Sequence, residues 1–285
     1  MSHMVSDGLD HLSGRDFQRL ARFIQDYSGI KMPVTKKTMV EGRLRKRVGA
    51  GGFASFNEYC RHLFDDGGMD AECLALIDAV TTNKTEFFRE PEHFRILAER
   101  AVPSLLAERR AGASPLIKVW STASSIGAEP YTLAMVLADE SRRGTKFRFS
   151  ILGTDISTRV LKTASSGIYP EEMIAPVPMD LRKRYLLRSK NDSRGLVRIV
   201  PELRRMVQFG RLNLMDESYP VDRGLDVIFC RNLLIYFDKP TQQAVLTRLC
   251  DHLRPGGYLF LGHSETLAGF GLPLQSIGTT VFRRD

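Results

Sequence analysis

The sequence predicts an α/β domain with a mainly parallel sheet over residues 116–285, preceded by an all-helical domain over 5–80 and a loop and connecting helix over 81–115. Three observations predict this. Apolar residues recur at helical spacing through the N-terminal part, strand-like and helix-like stretches alternate from Leu116 onward, and the first of those strands runs into small residues that open a helix.

In the helical domain, Ser13 followed by Asp16 marks a helix start, and Phe17, Leu20, Ala21, Ile24 and Tyr27 then fall on one face. Pro33 lies in the loop before a second helix. Its buried stripe is Met39, Val40, Leu44 and Val48, with Lys36, Lys37, Arg43, Lys46 and Arg47 elsewhere and Gly49, Gly51 and Gly52 ending it. That basic face reads either as a solvated surface or as a docking face for an acidic partner. Two shorter helices are expected near Ser55–Phe64 and Asp70–Val80.

Thr81 to Glu90 breaks the helical pattern. It reads as a linker whose phenylalanines pack and whose threonines cap the helix from Pro91 to Arg109. Alternatively, Asn83, Thr85 and Arg89 donate hydrogen bonds to a charged small molecule.

The stretch Lys118–Met135 carries the strongest local signal. A strand ending in Ser121-Thr122-Ala123-Ser124-Ser125-Ile126-Gly127 lets backbone N–H groups approach a ligand, and a helix starting near Glu129 adds unpaired donors. Pro130 suits a first turn, where its missing N–H has no partner to lose. The next strand, Phe147–Thr154, ends at Asp155, placed where nucleotide-binding α/β units use a carboxylate for ribose hydroxyls.

Beyond the helix Ser157–Ser166, residues 167–205 interrupt the alternation as a small, strongly basic β insertion. Pro170, Pro176 and Pro178 exclude a long helix, and Asn191-Asp192-Ser193-Arg194-Gly195 forms a turn between two strand-like pieces. Arg182, Lys183, Arg184, Arg188, Lys190, Arg194, Arg198, Arg204 and Arg205 supply its charge. The sheet resumes at Met206–Phe209, then the continuous apolar strand Leu225–Cys230. The helix Thr241–Leu253, the turn Arg254-Pro255-Gly256-Gly257 and the strand Tyr258–Leu261 follow.

Length and composition bound the rest. A chain of 285 residues can bury one large core and a small helical one, and 43% hydrophobic with 26% charged residues is ordinary for a globular protein. No apolar run approaches the roughly 20 residues of a membrane span, and no signal-peptide core is present, so a cytoplasmic protein without direct membrane insertion is expected. Met1-Ser2-His3-Met4 reads as a vector-derived leader. Cys60, Cys73, Cys230 and Cys250 form no CxxC pair, and the six histidines show no HxxxH or HExxH spacing. Free thiols and no metal are therefore expected. Net charge +8 suggests an acidic partner without choosing among nucleic acid, lipid and protein.

Five motifs say more than the pattern. TTNKTEFFRE, VWSTASSIGAEPYTLAM, GTDIS, DVIFCRNLLIYFDKP and LRPGGYLFLGHSE, in this order, closely resemble the CheR-type chemotaxis receptor methyltransferases over nearly the whole chain. The resemblance implies a Rossmann-like class I methyltransferase domain with a β subdomain insertion. It also implies S-adenosylmethionine as cofactor, S-adenosylhomocysteine as product, and glutamate methyl esters formed on the cytoplasmic domains of methyl-accepting chemotaxis receptors. Asn83, Thr85 and Arg89 would hold the cofactor's methionine part, with Glu129 on its amino group. Asp155 would hold the ribose, Asn213 and Leu214 would flank the adenine, and Arg231 and Asn232 would close the pocket. Arg89 and Tyr236 would orient the reacting groups, Arg43 and Arg47 would steer the acidic receptor, and the β insertion would dock it. The family commonly has ACSTGEEPYS where this chain has Ala123 to Thr132. Ala128 replaces the first of two acids, while Glu129 keeps the second.

A glutamate carboxylate, pKa about 4.3, is already nucleophilic at neutral pH. An amine, pKa about 10.4, must first lose a proton, so the reading assigns no His or Cys to the chemistry. A monomer without nucleic-acid partner is expected. Two alternatives remain open: a nucleic-acid methyltransferase using the same cofactor, and a non-catalytic adaptor that senses it.

Overall fold

The structure is a computed structural model that describes residues 11–108, 115–188 and 195–285. The leader Met1-Ser2-His3-Met4, Arg109, Lys190 and the turn residues Asn191 to Arg194 lie outside the described residues. The chain divides into two compact units, the boundary falling between Thr82 and Asn83.

Among the described residues the first unit holds four α-helices: α1 (Gly14–Ser28), α2 (Lys37–Ala50), α3 (Phe56–Phe64) and α4 (Met69–Val80). α1 begins where the sequence places it, with Ser13 Oγ accepting from the Asp16 amide at 3.0 Å. It ends on Gly29, whose φ of 73° is left-handed. Leu20, Ile24, Val40, Leu44 and Val48 are all fully buried, so the predicted stripes do meet in a core.

The basic face of α2 is less free than expected. Arg47 forms a close ion pair with Glu72 of α4. Arg43 donates to the Val80 carbonyl at the end of α4 and, at 3.0 Å, to Thr82 Oγ1. Arg43 and Arg47 thus tie α2 to α4 and to the residues that follow it. These ties have a simple physical origin: Glu72 and the unpaired carbonyls at a helix C-terminus attract the nearest guanidinium.

In the second unit the connecting helix is α5 (Pro91–Ile96), a π-helical turn at Leu97–Ala101, and α6 (Val102–Ala107). The predicted helix from Pro91 is therefore interrupted, with Pro103 the second residue after the wide turn. No threonine caps it either: its N-cap is Glu90, at φ 56° with no side-chain cap bond, while Thr81 ends α4.

The main sheet contains β1 (Leu116–Ser121), β2 (Arg148–Asp155), β6 (Val207–Arg211), β7 (Leu225–Cys230), β8 (Leu253–Leu261), β9 (Leu274–Gly278) and β10 (Val281–Arg284), in the order β6-β2-β1-β7-β8-β10-β9. The first five are parallel, and β10 runs antiparallel between β8 and β9. The β9–β10 hairpin was not legible in the sequence. β6 begins one residue later than expected and runs on to Arg211, and the expected turn at 254–257 is absorbed into a longer β8. Helices α7 (Ala128–Arg143), α8 (Thr158–Ser166) and α11 (Lys239–His252) follow β1, β2 and β7.

Two buried polar groups pin the strands. Asp226, with no exposed surface, accepts from the Lys118 amide and from Arg254 Nε, each at 2.8 Å, which joins β7 to β1 and β8. Trp120 is fully buried and donates from Nε1 to Thr154 Oγ1 at 2.9 Å, joining β1 to β2.

The insertion is a separate three-stranded antiparallel sheet, β3 (Ile168–Pro170), β4 (Leu186–Arg188) and β5 (Leu196–Ile199), in the order β3-β5-β4. It has one strand more than the sequence suggested. It also holds a seven-residue helix, α9 (Met179–Tyr185), that starts just after Pro178, and the short α10 (Pro201–Arg204) leads back to β6. Tyr169 of β3 reaches out of it, its hydroxyl donating to the Ile126 carbonyl at 2.7 Å.

Phe260 is fully buried on β8 and stacked on Phe229 at a centroid distance of 4.3 Å. Phe260→Ala should cost about 3 to 5 kcal/mol. The loss is expected as a lower urea midpoint in the fluorescence of Trp120, the one tryptophan in the chain; an unchanged midpoint would contradict this packing.

Candidate active site

Strand order reverses between β1 and β7, so the loops leaving their C-terminal ends diverge and open a crevice. The β1–α7 loop is pinned on several sides. The Thr122 amide donates to the Phe229 carbonyl at 2.9 Å, and the Ser124 amide to the Thr154 carbonyl at 2.8 Å. Ser125, at φ 48°, donates its amide to Asp155 Oδ2 at 2.9 Å and its hydroxyl to the Asn83 carbonyl at 3.1 Å. Gly127 has φ 89°, and a Cβ there would lie 2.9 Å from Ala164 Cβ and 3.0 Å from the Tyr169 hydroxyl, so only glycine fits.

Asp155 is buried at the tip of β2 and organises both flanking loops. Oδ2 takes the Ser125 amide, and Oδ1 takes the Ser157 amide at 2.9 Å. The Asp155 carbonyl accepts from Leu212, which brings in the segment carrying Asn213 and Leu214.

Beside this lies a buried charge network. Arg231, 2% of whose side chain is exposed, stands 3.3 Å from Glu129 Oε2 and 3.3 Å from Glu90 Oε2, and donates to the Arg89 carbonyl. Glu129 Oε1 accepts from Ser121 Oγ at 2.8 Å, and Glu90 Oε1 accepts from Asn232 Nδ2 at 3.0 Å. Burial pushes the Glu129 carboxyl above the usual range, against the pull of Arg231. Burial works in the same direction on Glu90, but Asn232, Arg231 and His263 outweigh it and hold that group low.

Phe88, Glu90, Ser125 and Asn232 all have positive φ without being glycine, so backbone strain gathers around these loops. A further carboxylate, Glu265, is buried under the loop after β7 and accepts four backbone amides, from Asn232, Leu233, Leu234 and Gly262.

The sequence-predicted residues are thus largely brought together. Asn83 and Asp155 meet at Ser125; Glu129, Arg89 and Asn232 gather around Arg231 and Glu90, and Asn213 and Leu214 are buried next to Leu212. Arg89 also donates to the Lys84 carbonyl at 3.1 Å. Thr85 and Tyr236 are half-buried, Tyr236 in the 3-10 turn Leu234–Tyr236 that follows Asn232. Arg43 and Arg47 belong to the helical unit and its α2–α4 ties.

Sequence reasoning missed Glu90, His93 and Glu265. Glu90 ends the first quoted motif and Glu265 the last, so their place in those motifs was the available signal. His93 is fully buried with Nδ1 3.4 Å from Glu90 Oε2, and His263 Nε2 is 3.9 Å from the same oxygen. Glu90, His93 and His263 bring possible ligand atoms within 4.8 Å of one another. Arg231, however, already supplies a cation to that carboxylate.

The donor set fits an adenosyl compound with an amino-acid end. A carboxylate at a strand tip suits vicinal hydroxyls, Glu129 suits an ammonium, and the guanidiniums suit a carboxylate. The buried Ser124 hydroxyl has no hydrogen-bond partner within the described residues, which leaves polar valence in the β1–α7 loop.

A sheet of this order with these loops defines the class I methyltransferase fold. The chain matches the CheR methyltransferase all-alpha domain over residues 15–81 and the CheR methyltransferase SAM binding domain over residues 83–282. It is 38% identical to chemotaxis protein methyltransferase 2 of Pseudomonas aeruginosa, aligning 95% of this chain with 94% of that one. To the chemotaxis protein methyltransferases of Escherichia coli and Salmonella typhimurium it is 39% and 40% identical, over 95% of this chain and 91% and 90% of theirs. The chain belongs to the CheR methyltransferase family, and its cofactor is S-adenosylmethionine.

Burial, and after it the charge of Arg231, lowers the His93 pKa to about 4. In the unfolded chain a histidine titrates near about 6.5, so between those values the unfolded state binds more protons and stability rises with pH. This contribution should be fully present above about pH 6.5 and lost as pH falls toward 4, on the order of 3 kcal/mol in all. Urea unfolding at several pH values should show a flatter acid limb in His93→Gln; an identical limb would remove His93 as the cause.

Proposed function

We propose that the protein forms methyl esters on glutamate side chains of chemoreceptor cytoplasmic domains, for sensory adaptation. The observation that carries this reading is the buried Glu90–Arg231–Glu129 network set beside Asp155 at the strand tips. It supplies grips for both ends of the cofactor, and it presents no side chain that the reaction needs as a base.

When bound, S-adenosylmethionine supplies a methyl group on a sulfonium sulfur that leaves as a neutral thioether. In this assignment Asp155 accepts from the ribose hydroxyls, and Asn213 and Leu214 flank the adenine. Glu129 takes the amino group. Asn83, Thr85 and Arg89 hold the methionine part, with Arg231 and Asn232 closing that side. The carboxylates of the network favour a cationic ligand.

The substrate glutamate is ionised at neutral pH, so no proton has to move. Tyr236 and Arg89 orient the incoming carboxylate, and orientation is the protein's main contribution to rate. The β insertion docks the receptor: β3 and β4 are its two edges, and Leu187 on β4 is half exposed. Steering of the acidic receptor by Arg43 and Arg47 would have to share their guanidiniums with Val80, Thr82 and Glu72.

Incubation with methyl-tritiated cofactor and receptor cytoplasmic fragments should give label that is released by base as volatile methanol. Label that stays fixed under base, or that enters RNA instead, would overturn the ester reading; a protein that binds cofactor and labels nothing would be an adaptor. Asp155→Ala should weaken S-adenosylhomocysteine binding roughly 10- to 150-fold in calorimetry, the scale of about 1.5 to 3 kcal/mol for bonds to a charged group. Unchanged binding by the folded variant would remove Asp155 from the pocket.

A further inference from the structure

The loop leaving β7 carries Arg231, Asn232 and Tyr236, yet very little of it is regular structure. Asn232 sits at φ 56°, and the 3-10 turn Leu234–Tyr236 that follows has no side-chain cap bond from its own N-cap residue. The first amides of such a turn are donors that need an outside acceptor. Glu265 is that acceptor. Its Oε1 takes the Leu233 amide at 2.8 Å and the Leu234 amide at 2.7 Å, and its Oε2 takes the Asn232 amide at 3.0 Å and the Gly262 amide at 2.6 Å.

The approach is tight on the far side as well. A Cβ at Gly262 would lie 2.5 Å from Asn232 Nδ2 and 2.8 Å from its amide nitrogen. From the other direction Glu90 holds the Asn232 side chain at 3.0 Å. Asn232 is thus fixed by one carboxylate through its backbone and by another through its side chain.

We propose that Glu265 is a positioning residue that presets the Arg231–Tyr236 turn, so that the methionine end of the cofactor meets a pocket already formed. Glu265 acts through the backbone of the turn and makes no contact with the cofactor itself. The proposal rests on the assignment of Arg231 and Asn232 to the cofactor pocket, and it is read in binding, not in methyl transfer.

The chemistry of substitution sharpens the test. A glutamine in this place has one acceptor oxygen and a donor-only NH2, so it cannot serve four N–H groups and turns two hydrogens toward donors. Full-length Glu265→Gln and Glu265→Asp should be titrated with S-adenosylhomocysteine by calorimetry, beside Leu249→Ala, a fully buried position on α11, as a control for lost stability. Glu265→Gln should weaken binding by about tenfold or more, the scale of leaving buried donors unpaired. Glu265→Asp should recover part of that loss, and Leu249→Ala should stay near wild type despite a lower melting temperature.

Wild-type affinity in folded Glu265→Gln would overturn the proposal, as would an equal loss in Leu249→Ala. If Glu265→Gln does not fold, Glu265→Asp against Leu249→Ala decides in the same way. A wild-type protein that binds S-adenosylhomocysteine but labels no receptor would overturn the functional reading and leave this one standing. One that binds none would overturn both.

Discussion

A guanidinium with almost no exposed surface is costly to desolvate unless it is paired and hydrogen-bonded, and removing one partner of such a pair typically costs about 3 to 5 kcal/mol. Arg231 meets that condition through Glu90, Glu129 and the Arg89 carbonyl. These three partners come from the loop before α5 and from the first turn of α7. Arg231 itself comes from the end of β7, so the requirement to pair one charge draws three separated stretches of sequence to one point. The loop conformations around it, including the positive φ at Glu90 and Asn232, are held because letting go would leave charge buried without a partner.

The same logic applies to the β1–α7 loop, where Ala128 precedes Glu129. Ala128 is buried with no exposed surface, whereas Glu129 reaches both Arg231 and Ser121 Oγ. A second carboxylate is not needed to balance the guanidinium here, because Glu90 already does so from another loop.

Much of this was legible in the sequence, and the reasons are physical. Helical spacing exposed α1 and α2, because a stripe buried on a core leaves a period of 3.6. The Ser-rich loop and Asp155 were legible because only small residues and a strand-tip acid allow that approach. Glu265 was not, since a lone glutamate after a Gly-His-Ser run has no local mark of its role; its four partners are set by tertiary folding. The β9–β10 hairpin was missed because its strands are short and half-exposed, without clean alternation. The ties that Arg43 and Arg47 make to α4 were not legible either, because charge pattern alone does not reveal Glu72 across a helix pair.

Where β1 meets β7, the tie between Lys118 and Asp226 spans 108 positions of chain. By contrast, β10 pairs with neighbours close to it in sequence. Closing a loop that long is entropically the hardest step in the sheet, so near-range hairpins can assemble well before it. The crevice exists only once that seam is sealed. A half-assembled chain can therefore have much of its secondary structure and still offer the nucleoside nothing to bind, so ligand present during refolding would stabilise only molecules that have finished.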